Sequence, residues 1–420
     1  MSKKNKWTIV PFIGVAALLL VILYFIALHK PSPPAEPLRA IPMSASLIMQ
    51  VNDFRNLFEK VSVHNAIWNE LKTIPDFARI DRQLRFLDSL YKYVPDAEQI
   101  LKNSPSFLSA HFTGKDKVSL MHIFQLPPRY SEKKIVDLIR GLVVNSGTIS
   151  IRKYENVSVH EVALLNENAV RNFSFAVYRD ILMLSFSATV LEDAIRQIAT
   201  EDNILSMKGF RAVYATAGKN VDANLFINFQ NFPKSLSVLV RPEFKAEVRS
   251  VRHFAEWAEM DINLLPDMLL MNGFVYPPDS LSSMASLFIN QAPQRITADE
   301  FLPGSVASFF TVSLSDPGRY FTDYQNFLRE QGLYTTYQNT LASLNSTYGI
   351  DVTRELLEIM DNEISQAFDP GTREGGPGHR YFLMRIKSST QAEEKLNSMV
   401  GRQLLNNHNR IALNKLFDSV

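Results

Sequence analysis

The chain has no cysteine among its 420 residues. Disulfides, thiolate metal sites, cysteine nucleophiles and thioether-linked lipid anchors are thereby excluded together. It also lacks an excess of charge of either sign: 44 basic and 43 acidic side chains leave a formal net charge of +1. Nucleic-acid binders carry a basic surplus that displaces counterions from phosphates, so no nucleic-acid partner is expected. Chemical signatures are missing as well. The eight histidines contain no His-Glu-x-x-His pair. There is no Gly-x-Ser-x-Gly elbow, and no Ser-x-x-Lys with plausible companions. What remains is 46% hydrophobic and 21% charged, a balance that builds a core and excludes disorder over most of the length.

Charge is also absent from Trp7 to Leu28, and fourteen residues of that run are Leu, Ile, Val or Phe. A helix of this length spans about 33 Å, enough for a ~30 Å hydrocarbon layer. A cleaved signal peptide has a shorter apolar region and a small-x-small site. Phe25-Ile26-Ala27-Leu28-His29 offers a poor one, so an uncleaved transmembrane helix is expected. Lys3, Lys4 and Lys6 precede the run, and only Lys30 and Arg39 follow closely. The positive-inside bias then leaves the N-terminus cytoplasmic and the bulk of the chain periplasmic, anchored in the inner membrane of a double-membrane cell.

The expected division is a cytoplasmic N-terminus at 1–6, a transmembrane helix at 7–28 and a Pro-rich linker at 29–40. A first α+β domain at 41–295 and a second, partly repeated one at 296–420 follow, the chain ending before the second is complete. After Pro31-Ser32-Pro33-Pro34, a stiff spacer, Ala45 to Val51 reads as a buried strand. Asp53 to Leu90 reads as helix, broken at Pro75. Hairpins are expected at Ser106–Phe112 with Val118–Phe124, at Thr148–Tyr154 with Val157–Leu164, and at Phe173–Val177 with Ile181–Phe186. Ser131 caps a helix after the first. Thr189 and Glu192 form a capping-box pattern after the third. Ala223–Phe229 is a further strand. His253–Ile262 and Met268–Tyr276 form another hairpin, followed by a helix with Leu281, Met284, Ala285, Phe288 and Ile289 inward. Hairpins each followed by a helix point to an α+β fold, with antiparallel sheets covered by helices on one face.

A weak repeat lies about 260 residues apart. Pro42 to Ser46 leads into a strand and then Asp53. Pro303 to Ser308 leads into Phe309–Leu314 and then Asp316. The second copy reads as a long helical middle from Tyr320 to Phe368, one strand at Arg380–Lys387, and a helix opened by Thr390 and Glu393.

Three stretches carry a family resemblance: Ile41-Pro42 through Phe54 with Ile67-Trp68, Ala223 to Phe229, and Ala255 to Asp261 through Leu270-Met271-Asn272-Gly273-Phe274. The chain resembles a family of membrane-anchored Bacteroidetes proteins catalogued as a domain of unknown function, number three-three-five-two. The resemblance covers most of the chain after the linker and implies no catalytic residues.

No residue is assigned a catalytic, cofactor-binding or metal-binding role, and no cofactor is expected. Glu256, Glu259 and Asp261 read as a solvated strand face rather than acid–base groups. Asn224 and Asn228 share a strand face with Phe226. His160 reads as half-exposed, and His111 and His122 as facing each other across the first hairpin, without an obvious third metal ligand. Gly371 to Gly378 is followed by His379-Arg380 and a strand, which makes it a connection rather than a phosphate loop. The sequons at Asn156, Asn172 and Asn345 match chance. The function expected is a non-enzymatic, membrane-anchored scaffold or interaction protein, its partners the lipid bilayer and another envelope protein. The alternative is an envelope hydrolase or lipid-binding protein with a site assembled from scattered residues; the 28 Phe and 13 Met are read as filling cores.

Overall fold

The computed structural model describes residues 36–93, 106–114, 117–127, 130–143, 147–164, 172–200, 202–278, 282–349, 351–371 and 378–401. The expected transmembrane helix at 7–28 lies outside them. No helix among the described residues is long and apolar enough to cross a membrane. The chain divides into two compact units, one of residues up to Arg249 with Trp257–Phe274, the other of Ser250–Glu256 with Val275 onward.

In the first unit Glu36–Ala40 forms a 3-10 helix in which Leu38 and Ala40 are fully buried. The spacer therefore ends sooner than its proline content suggests, because Leu38 is drawn into the core. Strand β1 (Ala45–Val51) follows. The Asp53 side chain accepts the Asn56 N–H and opens α1 (Phe54–His64). Asn65 likewise accepts the Trp68 N–H and opens α2 (Ala66–Leu71). Pro75 starts α3 (Pro75–Tyr93) instead of breaking a helix. At the first helical position its missing N–H has no intrahelical partner to lose. The β2 (Ser106–Phe112) and β3 (Val118–Gln125) hairpin matches its expected place, and Ser131 accepts the Lys134 N–H at the start of α4 (Glu132–Val143).

Two further hairpins join β4 (Gly147–Tyr154) to β5 (Val157–Leu164) and β6 (Asn172–Tyr178) to β7 (Ile181–Ser185). Glu155 and Asn156 have φ of 48° and 62°, and Arg179 and Asp180 have 50° and 59°. Left-handed pairs of this kind match the twist of the flanking strands. Helix α5 (Ala188–Ala199) buries Leu191, Ala194, Ile195 and Ile198 as expected. Its capping box does not form. Ser187 takes the cap position, and the Glu192 carboxylate instead accepts from Arg152 of β4. Helix α6 (Lys208–Tyr214), β8 (Ala223–Asn228), β9 (Trp257–Leu264) and β10 (Leu269–Tyr276) as far as Phe274 complete the unit, the last two residues of β10 belonging to the other. Strand β9 begins later than His253, because Val251–His253 winds into a 3-10 turn.

These strands form one sheet in the order β10-β9-β8-β1-β2-β3-β7-β6-β5-β4, with antiparallel neighbours from β1–β8 to β4–β5. The expectation of helices on one face is corrected by two adjacent residues. His160 and Glu161 of β5 point to opposite faces. His160 meets Glu132 of α4, while Glu161 meets Arg152, whose other partner is Glu192 of α5. Helices therefore cover both faces. Val51, Phe54, Leu87, Leu108, Ile139, Phe173 and Leu184 belong to one core. Burial on both sides explains why β2 reads as a nearly unbroken buried run rather than an alternation.

The second unit repeats the opening of the first. A 3-10 turn (Ala298–Glu300) precedes β11 (Ser308–Ser313), and the Asp316 side chain accepts the Arg319 N–H to open α7 (Pro317–Glu330). The cap geometries agree closely: Asp53 has φ −137° and ψ 91°, Asp316 has φ −140° and ψ 87°. Three helices, α7, α8 (Tyr334–Tyr348) and α9 (Val352–Ile359), lead to β12 (Met360–Asp369), β13 (His379–Ile386) and α10 (Ser389–Gly401). The order β11-β12-β13 with antiparallel pairing reproduces β1-β2-β3. The stretch read as helical up to Phe368 thus ends in a strand, and the last helix is capped by Ser388, which accepts the Gln391 N–H. The helix expected near Met284 is a 3-10 turn, Met284–Phe288, tied by Ser283 and Ser286. It buries Ser286 and Leu287 and leaves Met284, Phe288 and Ile289 exposed, while Leu281 lies outside the described residues.

Candidate functional site

The acidic group on β9 is not a solvated face. Register places Asn224 of β8 opposite Asp261, Phe226 opposite Glu259, and Asn228 opposite Trp257. Glu259 is 1% exposed and Trp257 fully buried, with the Phe210 ring 5.1 Å from the indole and 5.4 Å from Phe226. Asn224 Nδ2 donates to the Gly218 carbonyl at 3.0 Å, to Asp261 Oδ1 at 2.7 Å and to Glu259 Oε1 at 3.4 Å. The Gly218 N–H donates to Asp261 Oδ1 at 2.8 Å. A Cβ on Gly218 would stand 2.5 Å from Asp261 Oδ2, so only glycine permits this approach. Burial, with a hydrogen bond and charge repulsion from Asp261, pushes the Glu259 carboxyl up to about 8, against the opposing Asn224 contact. Among the described residues Glu259 Oε2, Asn224 Oδ1 and Trp257 Nε1 have no hydrogen-bond partner. The cluster locks β8 to β9. Glu259 is buried, and Asp261 beside it is half-buried.

The histidines are structural too. His111 pairs in register with Ser119 and His122 with Leu108, so the two point to opposite faces and do not meet. Burial pushes each down to about 3, keeping both neutral. His111 Nε2 lies 2.8 Å from Ser109 Oγ, and the His122 ring is 5.5 Å from Phe54. His160 is buried, not half-exposed. It stacks on Phe175 at 4.7 Å, and its Nε2 lies 3.0 Å from Glu132 Oε1. Among the described residues no three His, Asp or Glu side chains are placed to hold a metal ion. Of the glycine-rich segment, 372–377 lie outside the described residues. Gly371, at φ 80°, donates its N–H to Asp369.

In the second unit Glu363 is buried under the 3-10 turn at Ala298. Burial raises its carboxyl, but hydrogen bonds from the Thr297 N–H and hydroxyl and the Ala298 N–H outweigh this and hold it below the ordinary range. A groove of about 680 Å³ runs beside it, lined by Phe301, Phe382, Leu383 and Ile386 among others. Of its polar groups, the Thr297 N–H and hydroxyl and the Ala298 N–H already converge on the Glu363 carboxylate.

The surface that stands apart is β10, at the end of the ten-stranded sheet. Leu269, Leu270, Met271, Phe274 and Val275 are all exposed, with Phe274 at 59%. No residue of the strand is charged. Long, uncharged, apolar edges are what soluble sheets avoid. The opposite edge, β4, carries Arg152 and Lys153. Gly273 holds β10 against β9: a Cβ there would lie 1.9 Å from the Glu259 carbonyl oxygen. The strand itself was expected from the sequence; its exposure was not. The signal was the run of apolar residues without polar alternation, which suits a strand whose two faces both await cover.

No curated protein and no solved structure matches the chain. The family model described as "Protein of unknown function (DUF3352)" matches residues 131–415, spanning β4 to β13 and reaching into both units. That span is well over half of the sequence, and the chain belongs to this family.

Proposed function

We propose that the chain is a single-pass envelope protein, held in the inner membrane by residues 7–28 with its bulk in the periplasm. It acts without catalysing a reaction, by pairing the free edge of β10 with an extended segment of another envelope polypeptide. The uncharged, exposed β10 edge carries this reading. An edge strand offers a row of backbone donors and acceptors, and its alternate side chains give specificity. The charge-free stretch Trp7–Leu28 supports the anchor. The sealed Glu259 cluster favours a structural over a catalytic part for the acidic residues. Protease added to spheroplasts should digest the bulk of the chain, while alkaline extraction leaves its N-terminal fragment with the membrane. Recovery of full-length protein in the cytosol, or a mature chain beginning after His29, would overturn the anchor.

A further inference from the structure

Among the sheet edges, β10 differs in length and chemistry. Arg152 and Lys153 guard β4, and Arg380 and Arg385 guard β13. β11 is uncharged but has only six residues, including Ser308, Thr311 and Ser313. β10 has eight residues, and its sequence Leu-Leu-Met-Asn-Gly-Phe-Val-Tyr is apolar on both sides of a central Asn-Gly.

The backbone fixes which groups are free. The Leu265 N–H donates to the Met268 carbonyl, and the Glu256 N–H donates to the Tyr276 carbonyl. Residues 268 and 276 thus turn toward β9. In an antiparallel strand alternate residues bond to the same side. Leu269, Met271, Gly273 and Val275 therefore point their N–H and C=O groups outward.

We infer that β10 pairs with β10 of a second copy of this chain, about a twofold axis through Asn272; this rests on the edge-binding reading above. A twofold perpendicular to a sheet sets one residue opposite itself. With Asn272 there, Leu269 faces Val275 of the second copy, Leu270 faces Phe274, and Met271 faces Gly273. The outward groups of 269 and 275, and of 271 and 273, then fall in hydrogen-bonded pairs, while Asn272 occupies a non-hydrogen-bonded pair. Apolar residues meet apolar residues, and no charge is buried. With Leu265 and Met268 of the preceding turn, also exposed, the apolar surface offered is on the order of 600 Å² per copy. Both copies together offer ~1,200 Å², an upper bound on what the pairing buries that matches the lower end of specific interfaces. Two chains anchored in one bilayer also meet at raised effective concentration.

The cysteine-free sequence gives a direct test. Full-length Asn272→Cys, reconstituted in lipid nanodiscs and mildly oxidised, should run at twice the mass of the chain. Met271→Cys, which faces Gly273, should crosslink at least tenfold less. Adding Val275→Lys to Asn272→Cys should abolish the crosslink; Val275 is 40% exposed, and an unchanged proteolysis pattern shows that the fold survives. Equal crosslinking of Asn272→Cys and Met271→Cys, or preferred crosslinking of Asn272→Cys to Phe310→Cys on β11, overturns the inference. In intact cells, an Asn272→Cys adduct of some mass other than twice the chain overturns the second-copy inference and leaves the edge-binding reading standing. No adduct from Asn272→Cys, Met271→Cys or Val275→Cys overturns both.

Discussion

Replacing Glu259 with glutamine should remove one falling contribution to stability between about pH 5 and 9. In the folded chain this carboxyl titrates at about 8, against an ordinary value of 4.5, because burial and the adjoining Asp261 disfavour its charge. Below 4.5 both the folded and the unfolded forms hold the proton, and the group costs nothing. Between 4.5 and about 8 the unfolded form has released the proton while the folded form keeps it, so stability falls as pH rises. Above about 8 both are ionised and the loss is complete. Each pH unit within that window amounts to about 1.4 kcal/mol, so the whole span is worth on the order of 3–5 kcal/mol. Glutamine keeps the shape, offers Asp261 an N–H in place of the protonated carboxyl's O–H, and has no charge to bury. In urea midpoints followed by tryptophan fluorescence, Trp257 being beside the cluster, the natural protein should fall relative to Glu259→Gln by roughly 1–2 M across this range. The rise below pH 6.5 that the buried, neutral His111 and His122 impose is common to both proteins and cancels in the difference. Parallel pH profiles for the two proteins would refute the reasoning.

Other perturbations test the packing. Gly273→Ala places a methyl 1.9 Å from the Glu259 carbonyl oxygen, so β10 must shift away from β9, at about 1–3 kcal/mol, read as a lower urea midpoint and faster exchange in 269–276. Asp53→Ala and Asp316→Ala each remove a cap hydrogen bond of 2.9 Å and should cost about 1 kcal/mol. Hydrogen exchange should show the first loosening α1 and the second α7. Leu191→Ala empties a fully buried site on α5 and should cost about 2–5 kcal/mol, visible as a clear fall in the thermal midpoint.

Local signals were legible in the sequence because their physics is local. Asp53 and Asp316 cap helices from two recurrent positions, and Ser131 caps α4. The Glu155-Asn156 turn sits where the alternation breaks. Ser388 caps α10 where Thr390 was expected, an error of two residues. The failures were tertiary. Whether His160 is exposed depends on Glu132 and Phe175, far away in sequence. Glu259 and Asp261 look like surface carboxylates until α6 brings Phe210 over the strand. Alternation fixed which residues share a face but not that both faces are covered, since the second cover comes from α5, beyond four intervening strands. In the second unit the Asp316 cap was visible. Strand β12 there was hidden because Asp361, Asn362, Glu363 and Gln366 resemble a helix surface more than a strand.

The free edge of β10 is best tested by hydrogen–deuterium exchange on the full-length chain in lipid nanodiscs, reading peptides that span residues 268–276. Pairing with a second copy predicts slow exchange at Leu269, Met271, Gly273 and Val275, lost in the Val275→Lys variant. Exchange of those four amides at the rate of an open edge in the natural protein, unchanged by the substitution, would contradict it.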